Sequence, residues 1–221
     1  MQKPHWPQFD IGLKKDQSLD EMGLYLDFFR FANNTKAIVM AHTHSGRYTS
    51  TLPMAVLRGM IKSLLHEPLT NANTPFQPIE FATKLNSLVC QDTIPETFHL
   101  SLLKLIPQND TLSFLSCGQG PLFHVEQGKN VARAIHSHNP LIGHDPAASF
   151  SDSGDNFNDG DLLVLHDLPE QPFGPLLAKT VGLNALLSTG RLAEEVLKRA
   201  QEEQSYSDLC HPKVVITLQR L

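Results

Sequence analysis

Residues 37–57 constrain this chain more than any other stretch. They read Ala-Ile-Val-Met-Ala-His-Thr-His-Ser-Gly-Arg-Tyr-Thr-Ser-Thr-Leu-Pro-Met-Ala-Val-Leu. An apolar run of strand character ends in a polar loop that holds Gly46, and a helical pattern comes next. Leu57, Met60, Ile61 and Leu64 recur at helical spacing, which predicts a helix over 49–66. Pro53 is tolerated there only within the first turn. A strand that hands over to a helix through such a loop is a common seat for a metal ion or a phosphate. In this loop His42 and His44 stand where a catalytic loop of this kind carries a carboxylate.

The remaining pattern sets a fold class. Residues 8–15, 22–32 and 36–41 read as strands, and Asn33-Asn34 between the last two signals a hairpin. A polar loop over 69–77 leads to a second helix at 78–90, opened by Pro78 and striped by Phe81, Leu85, Leu88 and Val89. Runs 97–106 and 111–116 flank the turn Pro107-Gln108-Asn109-Asp110, and 122–126 and 131–135 flank Gln127-Gly128-Lys129-Asn130. A polar, acidic loop over 151–160 precedes a short buried strand at 161–166. Residues 174–205 read as helix interrupted near Ser188-Thr189-Gly190, and 213–219 as a last strand. No repeat and no linker divides the chain, so the expectation is one α+β domain over 1–221.

Composition excludes several classes of partner. The formal charge is −5 and no basic run occurs, which argues against a nucleic acid or an anionic membrane. No apolar stretch approaches the roughly 20 residues of a membrane span, and the first residues lack the apolar core of a signal peptide. Cys90, Cys117 and Cys210 are odd in number and far apart, as expected of reduced thiols in a cytoplasmic protein.

Several segments in order resemble one family. Phe9-Asp10-Ile11 is similar to its first strand, and Gly23 through Phe29 to its Gly-Gly-Asp-x-Tyr-Asp-Phe segment, with Asp27-Phe28-Phe29 matching. Residues 38–55 align without a gap to its Gly-Asp-Val-Ser-Gly-His-Gly loop and the helix after it. Pro78 to Leu88 resembles its second helix. Cys117-Gly118-Gln119-Gly120-Pro121-Leu122 resembles its Ala-Gly-His-x-Pro-Leu turn. Pro140 to Gly143 and Gly160 to Leu165 resemble its Pro-Leu-Gly step and its Gly-Asp-Leu-Leu-Leu-Leu strand. The family is the SpoIIE/RsbU-type branch of the metal-dependent PPM (phosphatase-2C-like) serine/threonine phosphatases. The resemblance implies a sandwich of two antiparallel β-sheets flanked by helices.

It also implies two divalent ions held by aspartates, which activate a water against phosphoserine or phosphothreonine. Carried onto this chain, the first aspartate position falls on Leu24, the second on His42 and the third on Leu168, or on Asp167 with a one-residue deletion. The last falls near Cys210-His211. Magnesium and manganese in such sites need anionic oxygen ligands, so an ordinary dinuclear site and its cofactors are not expected. The expectation is a catalytically degenerate phosphatase-like domain. It would act as a regulatory module that binds a protein, for example a phosphorylated regulatory protein, in a bacterial phosphorylation-dependent pathway. The competing reading is an active phosphatase or hydrolase with a single transition metal (Mn, Zn or Ni) on His42, Asp167 and His211. The oligomeric state stays open.

Other motifs carry weaker signals. Arg47 beside a helix start is the candidate phosphate-binding residue. His42-Thr43-His44 and His136-Ser137-His138 have strand-face spacing, but 11 histidines make such pairs common by chance. The acidic run 151–161 fails as a calcium loop, because Phe157 and His166 fall at ligand positions. Cys117 has no evident base near it in sequence.

Overall fold

The structure, a computed structural model, describes residues 3–15, 23–43, 51–92, 96–168, 170–203 and 214–221. In chain order the elements are β1 (Phe9–Lys15), β2 (Leu24–Arg30), β3 (Lys36–Thr43), α1 (Thr51–Thr70), α2 (Pro78–Gln91), β4 (Phe98–Ile106), β5 (Thr111–Cys117), β6 (Leu122–Val125), β7 (Arg133–Ile135), β8 (Ser153–Asn156), β9 (Leu162–His166), α3 (Glu170–Leu183), α4 (Thr189–Glu203) and β10 (Val214–Arg220). They gather into two compact units. The first comprises Met1–Leu19, Gln119–His136 and Asn156–Leu221, and the second Asp20–Gly118 and Ser137–Asp155.

The second unit is a five-stranded sheet in the order β2-β3-β4-β5-β8, with α1 and α2 on one face. β2, β3, β4 and β5 pair antiparallel in sequence order. Their turns use residues that tolerate a left-handed backbone: Asn34 has φ 66° and Asp110 has φ 54°. The central strand β3 is buried at every residue. On one face Ala37, Val39 and Ala41 join Leu100 and Leu102 of β4 under Leu57, Ile61 and Leu65 of α1 and Phe81, Leu85 and Val89 of α2. A large apolar side chain of this kind contributes about 1.5–3 kcal/mol when fully buried. Leu65 closes the α1 stripe, where the spacing alone had pointed to Leu64, which is only partly buried.

The first unit is a five-stranded sheet in the order β1-β10-β9-β6-β7, with α3 and α4 packed on it. β1–β10, β10–β9, β9–β6 and β6–β7 are all antiparallel. Its core joins Leu162 and Val164 of β9 and Val215 of β10 to Leu177 and Val181 of α3 and Leu192 and Val196 of α4. The start of α4 is tied to the sheet by polar contacts. Thr189 Oγ1 donates to Asp10 Oδ2 at 2.8 Å, and Thr217 Oγ1 donates to the Thr189 carbonyl at 2.7 Å. Gly12 lies under that junction, where an added Cβ would collide with the Thr189 carbonyl and the Thr217 hydroxyl.

The α+β class and the strand and helix order stand as expected, with local corrections. The polar run 151–160 contains the short strand β8. α1 continues to Thr70, with Pro68 in its final turn. α3 starts at Glu170 and carries Pro175, and the break before α4 falls at 184–188, earlier than 188–190. No helix among the described residues is long and apolar enough to cross a membrane.

Candidate functional site

Strand register in the second unit brings together the first two positions where aspartates were expected. Leu24 of β2 lies directly opposite His42 of β3, and His42 directly opposite His99 of β4. Opposed residues of antiparallel strands share a face, with Cβ atoms roughly 4.5–5.5 Å apart. Leu24, His42 and His99 therefore form one row across three strands. That row is on the face opposite to the one packed on α1 and α2.

The two imidazoles are held in a defined way. His42 is buried, and its Nδ1 lies 3.1 Å from the Thr43 carbonyl. His99 is half-buried, and its Nδ1 lies 2.9 Å from the Gly118 carbonyl. A carbonyl oxygen only accepts, so Nδ1 is the donor in both rings. A neutral imidazole in this state carries its lone pair on Nε2. The rings stack with centroids 4.5 Å apart and planes 21° from parallel. Gly118 makes room for this: its φ is +74°, and a Cβ there would lie 2.7 Å from His99 Nδ1.

The third position belongs to the first unit. Leu168 is buried in the apolar core with Leu177 and Val181, and its carbonyl accepts the Gly120 N–H at 3.1 Å. Asp167 is buried, and its Oδ1 accepts the Val214 N–H at 2.7 Å, which ties the end of β9 to β10. His166 beside it is fully buried. Burial pushes its imidazole pKa down from 6.5 to about 4, against weaker upward pulls from the backbone at Leu168 and Pro121. Its Nδ1 accepts the Leu168 N–H at 3.2 Å.

Arg47, His44 and His211 lie outside the described residues, as does Cys210. His42 stands in the second unit and Asp167 in the first. Among the described residues no three His, Cys, Asp or Glu side chains group as metal ligands. His136 and His138 are both exposed and come just after β7. The carboxylates of the acidic run serve the fold: Asp161 accepts from the Gln127 and Asn158 N–H groups and from His124, and Asp159 pairs with Arg220 at 2.8 Å. Burial pushes the Cys117 thiol up to about 12, which removes it as a nucleophile at neutral pH. His99 had no signal in the linear pattern beyond being a polar residue within an apolar run. Only the pairing of β3 with β4 makes it a neighbour of His42.

In the second unit Leu24 offers hydrocarbon and His42 a ring nitrogen; in the first, Leu168 offers hydrocarbon and one oxygen of Asp167 is committed to the backbone.

No curated protein matches the chain by sequence. Among solved structures, the RsbU and RsbW domains of a Mycobacterium tuberculosis protein align with a TM-score of 0.75 at 13% identity, covering 96% of this chain and 60% of that one. The PP2C phosphatase domain of Bacillus subtilis SpoIIE, with a fragment of its regulatory domain, aligns with a TM-score of 0.72 at 13% identity, covering 96% and 62%. The SiaA-PP2C domain of Pseudomonas aeruginosa gives 0.71 at 10% identity, covering 96% and 85%. The chain thus spans less than two thirds of the length of the first two. At these identities the likeness establishes the fold, which is the PPM type, with two five-stranded antiparallel sheets and four helices among the described residues. The family model of stage II sporulation protein E (SpoIIE) matches residues 48–166, more than half of the 221 residues, and the chain belongs to that family.

Proposed function

We propose that this domain has kept the phosphatase frame and lost two-metal phosphoester hydrolysis, and that it works by binding a protein partner in a bacterial phosphorylation-dependent pathway. The observation that carries the reading is the register of β2 and β3. The two positions that would share a metal are cross-strand neighbours, and they hold Leu24 and His42. A carboxylate missing from one position can be covered by a water ligand, but a leucine facing a neutral imidazole supplies no negative charge to offset a divalent pair. The burial of Leu168 in an apolar core supports the same reading at the third position. One structural relative joins an RsbU to an RsbW domain, which supports a protein as the ligand. A negatively charged chain without a membrane-crossing helix among its described residues suits a cytoplasmic setting.

The test is turnover of a phosphoserine peptide by tag-free protein in millimolar Mg²⁺ or Mn²⁺. The expected rate equals that of buffer with metal alone. A metal-dependent rate that disappears in His42→Ala would overturn the reading in favour of an altered but working metal site.

A further inference from the structure

We propose that the end of α3, the turn after it and the β6–β7 hairpin form a docking surface for an acidic amphipathic segment of a partner protein. Val131, Leu183, Leu186 and Leu187 are 73%, 73%, 95% and 36% exposed, and all four belong to the first unit. They come together because α3 ends against the hairpin: a Cβ added to Gly182 would lie 2.5 Å from the Asn130 carbonyl oxygen. Val131 and Leu183 follow directly on the two sides of that contact. Single exposed leucines are ordinary, but a gathered apolar patch on a protein surface marks a binding site far more often. The turn also presents its leucines in a set shape. The Asn184 N–H and Nδ2 both donate to the Thr180 carbonyl, at 3.2 and 2.8 Å, and the Leu187 N–H donates to the Asn184 carbonyl at 3.0 Å. Ala185 packs against the core that α3 and α4 share. Docking then has little backbone left to order.

The surrounding charge selects the partner. The chain carries −5 overall, yet no Asp or Glu occurs between Glu170 and Glu194, or between Glu126 and Asp145. Glu126 itself is paired with Lys129. Lys179 stands one turn before Leu183 on the same face of α3, Arg191 lies in the first turn of α4, and both are exposed. Leucines rimmed by cations complement apolar side chains rimmed by carboxylates. An anionic membrane is the poorer match, because attraction to lipid needs a larger basic cluster than this rim supplies and the negative chain is repelled. From Leu168, α3 runs back along its sheet for about 20 Å, so the surface is remote from Leu168 and Asp167 within that unit. The proposal rests on the protein-binding reading for a partner to exist. Phosphopeptide turnover does not involve these residues, so the two can fail separately.

The experiment titrates the full chain into a fluorescent helix-forming peptide that has leucines at i, i+3, i+4 and i+7 and glutamates on its other faces, read by anisotropy. Saturable one-to-one binding is expected, weakened severalfold between about 50 and about 500 mM salt. Leu186→Ser should weaken it about 10-fold or more, as loss of one buried leucine does, and Leu183→Ser should do the same. Both side chains are exposed, so circular dichroism and the urea midpoint should not change. Lys179→Glu combined with Arg191→Glu should abolish binding of this peptide and gain a version with lysines for glutamates, which the wild type does not bind. Leu52→Ser, at an equally exposed leucine of the second unit, should change nothing. Absence of binding overturns the proposal, as does binding that Leu186→Ser and the charge reversal leave intact. A wild-type dimer that Leu186→Ser makes monomeric overturns it in favour of a second copy of this chain. Binding to phosphatidylserine vesicles that Leu186→Ser abolishes overturns it in favour of a membrane.

Discussion

His166 shows how a single side chain couples this fold to pH. Its folded pKa is depressed to about 4 from 6.5 because a charged imidazole would have no water around it. A depressed basic group stabilises the folded state fully above 6.5. As pH falls from 6.5 toward 4, the unfolded chain takes up a proton that the folded chain refuses. The loss is about 1.4 kcal/mol per pH unit, on the order of 3 kcal/mol across the window. Urea melts at pH 7 and pH 4.5 should show this fall in the wild type. In His166→Asn, which keeps an acceptor for the Leu168 N–H but does not titrate, the fall should be smaller by most of that amount. Equal pH slopes in the two proteins would show that other groups cause it. Cys117 is the opposite case. Its thiol stays neutral over this whole range, so it adds packing and nothing that varies with pH.

Among the elements, α4 depends on a residue far from it in sequence. Gly12 of β1 leaves space for the Thr189 carbonyl, which in turn accepts from Thr217. Gly12→Ala should lift the start of α4 from the sheet and cost about 1–3 kcal/mol, read as a lower urea midpoint with an unchanged slope. An effect below about 0.5 kcal/mol would mean that the helix shifts freely. The elements also show what a linear pattern reveals. α1, α2, β4 and β5 were legible because their apolar residues recur at the period of the element and their turns carry Asn, Asp or Pro. β8 was not legible, since Ser153-Gly154-Asp155-Asn156 has no apolar alternation and forms a strand only by pairing along β5. α1 outran its expected end because Pro68 sits where only one backbone bond is lost, near the last turn. Leu24, His42 and Leu168 could be singled out through the family resemblance, as the positions its aspartates fall on. His99 could not, because its nearness to His42 is a property of the sheet.

For the whole molecule, the two units are threaded differently. Most of the second unit is one continuous stretch, whereas the first draws on three separate stretches of chain. β1 and β10, the outermost strands in sequence, are hydrogen-bonded neighbours over Phe9–Lys15 and Val214–Arg220. The order of synthesis then matters. β2 to β5 can pair soon after they leave the ribosome. β1 emerges before them and has no partner until β10 arrives roughly 200 residues later, a wait on the order of 10–40 s at ordinary rates of synthesis. Throughout that time Phe9 and Ile11, both buried in the finished fold, belong to an open strand edge of the kind that promotes aggregation. Ribosome-bound chains arrested before residue 214 should therefore be cut readily by protease within residues 9–15 while residues 96–117 resist. Protection of both stretches in such arrested chains would show that β1 finds a temporary partner. Chaperone capture of this protein, on these grounds, should concentrate on its first fifteen residues.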